Sequence, residues 1–259
     1  MILATHGFLA SSIGQFDADA VAFFNRVTTA GGTLSATERN AVNTLVIQMK
    51  ADGIWTKMKA IYPMIGASAV ACAQNLKSSS FTGTFNGGWT FSSTGALPNG
   101  STGYMDTGLI PNVDLQQNSS HLSVYIRGTN TDNQIYIGGR GTSSGILNYI
   151  LNFGFIAINN GDTATTVDRG QGLYVNSRTS STNLLRIKDG VVGNTLTVTS
   201  TGLHERPLWL GAYNNNNAIL FPSKNENAFA SIGDGLDATD AANYYTAVQA
   251  FQTTLSRNV

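Results

Sequence analysis

Residues 83–108 read GTFNGGWTFSSTGALPNGSTGYMDTG. Glycine, serine, threonine and asparagine fill most of the stretch, with Trp89, Phe91 and Tyr104 embedded among them. Two readings compete: the aromatics form an exposed platform for a ligand ring, or they are core residues of tightly turned strands. Gly87-Gly88 and Asn99-Gly100 favour strand, hairpin, strand, because they supply the positive-φ positions that short turns demand. Phe91 and Tyr104 then take strand positions with at least one buried face. Trp89, at a strand start, is assigned to the core.

The same texture continues from about residue 75 to near the C-terminus. HLSVYIRG (121–128), NQIYIGGR (133–140), ILNYILNFGFIAI (146–158) and GLYVNSR (172–178) are rich in Ile, Tyr, Val and Phe. So are LLRIKDG (184–190), TLTVTS (195–200), PLWLGAY (207–213) and AFASIG (228–233). Several alternate with period two, and NNGD, SSTN, KDG and NNNN separate them as turns. Many short strands without intervening helical periodicity predict a mainly β, antiparallel sandwich and not a βαβ sheet.

The first third reads differently. In AVAFFNRV (20–27), Val21, Phe24 and Val27 fall near helical spacing, Asp17 and Asp19 stand ready to cap, and Gly31-Gly32 ends the run. SATE at 35–38 is a capping box, followed by a stripe of Val42, Leu45, Val46 and Met49. Asp52-Gly53 stops that helix, and IWTKMKAIY (54–62) is expected to make a further short turn or helix before Pro63. A last helix, capped by Asp237 or Thr239, carries Tyr244, Val248, Phe251 and Leu255 as its stripe. The division expected is a helical segment over 1–74, serving attachment or oligomerisation, and a β-sandwich over 75–259 that ends in a helix.

Composition narrows the function classes. Of 259 residues 12% are charged, about half the usual share, so Asn, Ser, Thr, Gln and Gly must supply the polar surface. That suits stable extracellular or virion proteins better than a cytosolic enzyme. Net charge is zero and no basic stripe occurs, which argues against nucleic-acid binding. No run approaches the ~20 apolar residues of a membrane span, and MILATHGFLASSIGQF has no charged n-region, so no signal peptide is expected. The single Cys72 sits in SAVACAQ and reads as a small buried hydrophobe.

Catalytic signals are sparse. A glycosidase needs two carboxylates flanking the sugar bond, yet Glu38 is used by its capping box, and Glu205 and Glu226 lie in HERP and KNEN without an acidic partner at i+2 or i+4. His6, His121 and His204 are too scattered to suggest a metal set, and there is no G-x-S-x-G elbow. No cofactor is expected; Asn-Gly-Asp at 160–162 and Gly-Asp-Gly at 233–235 are the only places where Ca²⁺ is considered, with turn chemistry the competing explanation. Sugar recognition needs a flat aromatic plus planar amides or arginine. Tyr213 with Asn214, Asn215, Asn216 and Asn217, and Arg140 and Arg178 on one rim, are the candidates, against a solvated loop as the plain alternative for the Asn run. In PLWLGAY, alternation sends Leu208 and Leu210 to one face and Trp209 to the other.

Three segments carry a family resemblance. GALPNGSTGYMDTG (95–108) resembles a strand-opening stretch of laminin-G-like, concanavalin A-like jelly rolls, and GLYVNSRTSSTNLLRIKDGV (172–191) resembles a strand, polar turn and hairpin of that fold. PLWLGAYNNNN (207–217) and NAFASIGDGLDATDAANYYTAVQAFQTTLSR (227–257) resemble its closing strands and terminal helix in bacteriophage virion proteins. GGTLSATERNAVNTLVIQMKADGIWTKMKAIYPMIG (31–66) is similar to the helical lead-in of such proteins. The resemblance implies a jelly-roll module on a virion surface, reached through host lysis, with other virion proteins as partners, homo-oligomers with trimers favoured, and no shared catalytic signature. It implies host attachment through a surface glycan, as a tail fibre, spike tip or head fibre. A structural capsid-decoration role is the alternative, and a glycan depolymerase a third.

Overall fold

The capping box forms as its spacing requires: Ser35 Oγ accepts from the Glu38 amide, Glu38 reaches back to the Ser35 amide, and the helix runs from Ala36 to Ala51. Its buried side chains are Val42, Leu45, Val46 and Met49, with Ala41. The helix before it, Ala18–Thr29, is capped by Asp17 and buries Ala20, Phe23, Phe24 and Val27. Val21, expected on that stripe, faces outward, because Phe23 and Phe24 together pull the buried arc one position round. A computed structural model describes residues 16–142, 145–151, 154–166 and 169–259; His6 and the reading of the first fifteen residues lie outside it.

In chain order the elements begin with α1 (Ala18–Thr29), α2 (Ala36–Ala51), β1 (Met58–Tyr62) and α3 (Ala69–Cys72). Next come β2 (Thr84–Asn86), β3 (Trp89–Ser92), β4 (Gly95–Pro98), β5 (Tyr104–Asp106), α4 (Pro111–Asp114), β6 (Ser120–Ile126) and β7 (Ile135–Arg140). There follow β8 (Leu147–Leu151), β9 (Phe155–Asn160), β10 (Thr163–Ala164), β11 (Gly172–Arg178), β12 (Asn183–Lys188) and β13 (Val191–Thr197). The chain closes with β14 (Trp209–Leu210), β15 (Tyr213–Asn215), β16 (Ala218–Leu220), β17 (Asn227–Gly233) and α5 (Ala238–Thr254). The stretch 146–158, read as one strand run, is β8 and β9 paired antiparallel.

Two antiparallel sheets stack as a sandwich. The first has the order β13-β12-β11-β6-β17-β4-β3, with β1 also paired to β17; the second has the order β10-β9-β8-β7-β14-β5-β2. In the second, β15 adds a parallel pairing to β7 and forms a hairpin with β16. The expectation for IWTKMKAIY is corrected here: only Trp55–Lys57 is helical, a single 3₁₀ turn, and Met58–Tyr62 is a strand of the first sheet. Ala60 and Tyr62 alternate with Ile61, pointing into the inter-sheet core while Ile61 points at the helices, and a bulge between Met58 and Ala60 turns Met58 to the helices as well.

The first sheet is buried on both faces. Leu122, Val124, Tyr174, Leu184 and Ile232 fill the space between sheets. Tyr125, Leu173, Val175, Ile187 and Phe229 lie under α1, α2 and α5. α5 is also held by polar groups: Tyr244 Oη, Ser231 Oγ and Ser123 Oγ close a triangle of 2.7–2.8 Å contacts, and His121 Nε2 lies 2.9 Å from Ser231 Oγ. Beyond the helix, Arg257 is fully buried and donates to the carbonyls of Pro63, Met64 and Ala228.

The opening stretch 83–108 reads differently in three dimensions. β2 and β5 belong to the second sheet, β3 and β4 to the first. The Gly87-Gly88 and Asn99-Gly100 turns therefore carry the chain between sheets, and the hairpin lies at Ser93-Thr94 instead. The two corners pack together: a Cβ on Gly87 would sit 2.0 Å from the Thr102 carbonyl oxygen. Asn99 Oδ1 accepts from the amides of Ser101, Thr102 and Gly103. Phe85, Trp89 and Phe91 pack edge-on and stacked at the margin of the inter-sheet core.

Two buried histidines make the fold acid-sensitive. Burial lowers His121 and His204 to about 4, whereas both titrate near 6.5 in an unfolded chain. Below pH 6.5 the unfolded state takes up protons that the native state refuses, so stability present above 6.5 is lost as pH falls towards 4. The loss reaches about 2 kcal/mol per histidine by pH 5. Carboxylates such as Glu205, held down at about 2 chiefly by the Thr142 amide and hydroxyl, contribute only at lower pH. Urea midpoints taken between pH 7 and 5 should fall accordingly, and His121→Gln should remove about half of that slope.

Candidate functional site

The second sheet is covered by the sandwich core on one face only. Ile137, Ile150, Ile156, Ile158, Leu208 and Leu210 point inward. On the opposite face Ile135, Leu147, Tyr149, Leu151, Ala157 and Tyr213 form a separate apolar cluster. Around it lies a cleft of about 250 Å³ walled by Phe155, Leu220 and Phe221, with Arg140 and Asp162 as its charged groups. A β-bulge between Ile135 and Ile137 sends Tyr136 inward beside Ile137, leaving Ile135 to the cleft.

The register grades this cleft from polar to apolar. Arg140 pairs with Leu147 at one end, Tyr149 pairs with Gly138 and Ala157 in the middle, and Ile135 pairs with Leu151 at the other end. Gly138 is required where it stands, because a Cβ there would lie 2.6 Å from Tyr149 Cβ. At the polar end Asn215 Oδ1 accepts from Arg140 Nε, and in the middle row Asp162 accepts from the Tyr149 hydroxyl. Arg140 keeps its terminal amino groups without a protein partner among the described residues. Burial, reinforced by the Asp162 carboxylate, raises the Tyr149 phenol well above its ordinary value. Burial also raises Tyr213, whose ring meets that of Tyr149 edge-on at 5.9 Å.

Two features at the margin point to a ligand. The Tyr213 hydroxyl is buried and has no hydrogen-bond partner among the described residues. Phe221 is 39% exposed and holds φ at 47°, a left-handed conformation costly for a bulky side chain, fixed by the bond from the Ile135 amide to its carbonyl.

The six residues expected to bind sugar separate into three groups. Arg140 and Tyr213 line the cleft, and Asn215 orients Arg140. Asn214 is buried and bonded to the Pro207 carbonyl and the Asn217 amide, while Asn216 accepts from Arg206 outside the cleft. Asn216 and Asn217 sit at φ 51° and 71° between β15 and β16, so the Asn run is a tight hairpin turn. Arg178 is corrected outright: it is fully buried and cannot meet a ligand. It ends β11 on the inward side and donates to the carbonyls of Ile158 and Val198 and to Asn160 Oδ1, tying the two sheets together. Asn176, two positions earlier, donates to the Tyr149 carbonyl and so fixes the strand beneath the cleft.

Tyr149, Phe155, Leu220 and Phe221 were not anticipated, and Asp162 was considered only for calcium. Their signal is the paired apolar faces of ILNYIL: both faces are greasy, yet no spare helix remains to cover the second. Trp209 takes the outer face, as alternation requires, and stacks on Tyr104 at 3.8 Å outside the cleft. Asp162, weighed for calcium, is engaged by Tyr149, and among the described residues no three His, Cys, Asp or Glu side chains converge as a metal-binding group.

No protein-family model and no curated protein matches the chain. Among solved structures it is similar to domain 4 of AbnA, an extracellular GH43 arabinanase from Geobacillus stearothermophilus in complex with arabinotriose. The identity is 13% and the TM-score 0.48, over 73% of this chain and 98% of that one. It is similar to the NanB sialidase of Streptococcus pneumoniae at 13% identity and TM-score 0.44, over 61% and 27% of the two chains. A botulinum neurotoxin type C structure, concerned with cell entry dependent on two ganglioside molecules, is similar at 13% identity and TM-score 0.46, over 77% and 53%. The chain thus spans about a quarter and about half of the latter two. At such scores the likenesses assign no role to any residue of the cleft.

Two substitutions separate structural from binding roles. Tyr213→Phe deletes a buried, unpartnered hydroxyl and should stabilise the free protein by about 1 kcal/mol in urea melts. Asn217→Val places a β-branched side chain at positive φ and should cost roughly 1–2 kcal/mol, whereas Asn217→Gly should be near neutral; neither change at Asn217 should alter ligand affinity.

Proposed function

We propose that the protein is a non-enzymatic, sugar-binding protein of a bacteriophage virion surface, attaching to its host through the cleft on the second sheet. The observation that supports this most is the company of exposed Phe155 and Phe221 with Arg140 and Asp162 in one concave site. An aromatic face takes the C–H side of a sugar ring, and a few placed polar groups take its hydroxyls. Among the described residues lining the cleft, Asp162 is the only carboxylate, where hydrolysis by the usual route needs two. The virion setting, the oligomeric appendage and the host glycan rest on the sequence resemblance to phage structural proteins.

Binding of the purified chain to an array of bacterial surface polysaccharides tests this. Arg140→Ala combined with Phe155→Ser should lower affinity at least about tenfold while the melting temperature stays close to that of the parent. No reducing ends should be released during incubation. Absence of binding to every glycan would favour the capsid-decoration reading, and release of reducing ends would favour a depolymerase.

A further inference from the structure

We infer that the cleft selects a sugar bearing an acyl substituent, with an N-acetylhexosamine as the simplest ligand of that class; this rests on the sugar-binding reading above. The lining is too apolar for a bare sugar. Beyond Arg140 and Asp162 it consists of Ile135, Leu147, Leu151, Leu220 and four aromatic side chains. A ring rimmed by hydroxyls would strand several of them against aliphatic walls without a partner, each at a real cost.

The gradient matches an amphipathic ligand. The ring sits between Arg140 at one end and Asp162 beside the middle row, and the acyl methyl lies towards Ile135 and Leu151, which the register places at the other end, with Phe155 as a wall. Between them stands Tyr213, 5% exposed, whose hydroxyl has no partner among the described residues. An amide carbonyl is the acceptor that this hydroxyl lacks. Leu220, directly across the ladder from Tyr213 and 37% exposed, is the side chain whose rotamer change opens the way to it. At about 250 Å³ the cleft falls below the roughly 300–1,000 Å³ of drug-sized sites, which suits one sugar residue and its substituent.

Saturation-transfer NMR with four methyl glycosides, those of N-acetylglucosamine, N-acetylgalactosamine, glucose and galactose, decides the point. The acetyl methyl should receive the strongest transfer, and each N-acetyl sugar should bind at least about tenfold tighter than its hydroxyl counterpart. Tyr213→Phe should erase most of that preference while leaving the melting temperature unchanged or raised, an outcome a structural role for the hydroxyl would not give. Phe155→Ser should weaken the acetyl signal selectively. Equal binding of acetylated and plain sugars, lost in Arg140→Ala, would overturn the acyl preference and leave the sugar site standing. Binding indifferent to Arg140→Ala and Tyr213→Phe, or no binding of any of the four, would overturn both.

Discussion

The two sheets are not covered alike, and most of the molecule follows from that difference. The first sheet has the second on one side and α1, α2 and α5 on the other, so its strands are apolar on both faces. The second has only the inter-sheet core behind it. Its strands nevertheless carry apolar side chains outward at Ile135, Leu147, Tyr149, Leu151 and Tyr213. A half-covered antiparallel sheet ordinarily turns a polar face to water. Those side chains are buried, and it is Phe155, Leu220 and a strained Phe221 that stand exposed over them, which fits a surface shaped for something other than water.

Buried polar groups then do the work that a second helical layer would otherwise do. Arg178 and Asn176 leave the first sheet to bond carbonyls of β9 and β8, so the floor of the cleft is fixed from behind. Arg178 has only neutral acceptors, four carbonyls and one amide oxygen, among them those of Ile158, Val198 and Asn160. A buried guanidinium satisfied this way is costly to disturb, since removing an acceptor leaves a charge in a dry interior.

Helices α1, α2 and α5, the capping box of α2, the sandwich and its long strands were legible in the sequence, because each rests on a local rule of spacing or propensity. β1 was not, since five residues carry no more than two alternations and the preceding helices coloured the reading. The glycine pairs of 83–108 announced turns but not which sheets they join, because sheet membership is set by partners far along the chain. The site was half legible. Arg140 and Tyr213 were visible as an arginine and an aromatic near turns, while Arg178 misled because a strand-end arginine is usually exposed. Asp162 and Phe221 become recognisable only when β8 and β9 are set on one side of β7 and the β15–β16 hairpin on the other.

The grip of Arg257 on Met64 spans 193 positions, and the pairing of β1 with β17 brings together segments nearly as distant. Contacts of such sequence separation form late, after the loops between them have closed, and slow the approach to the native state. Closure of this span places the chain among topologies whose folding rate is governed by loop entropy more than by local propensity.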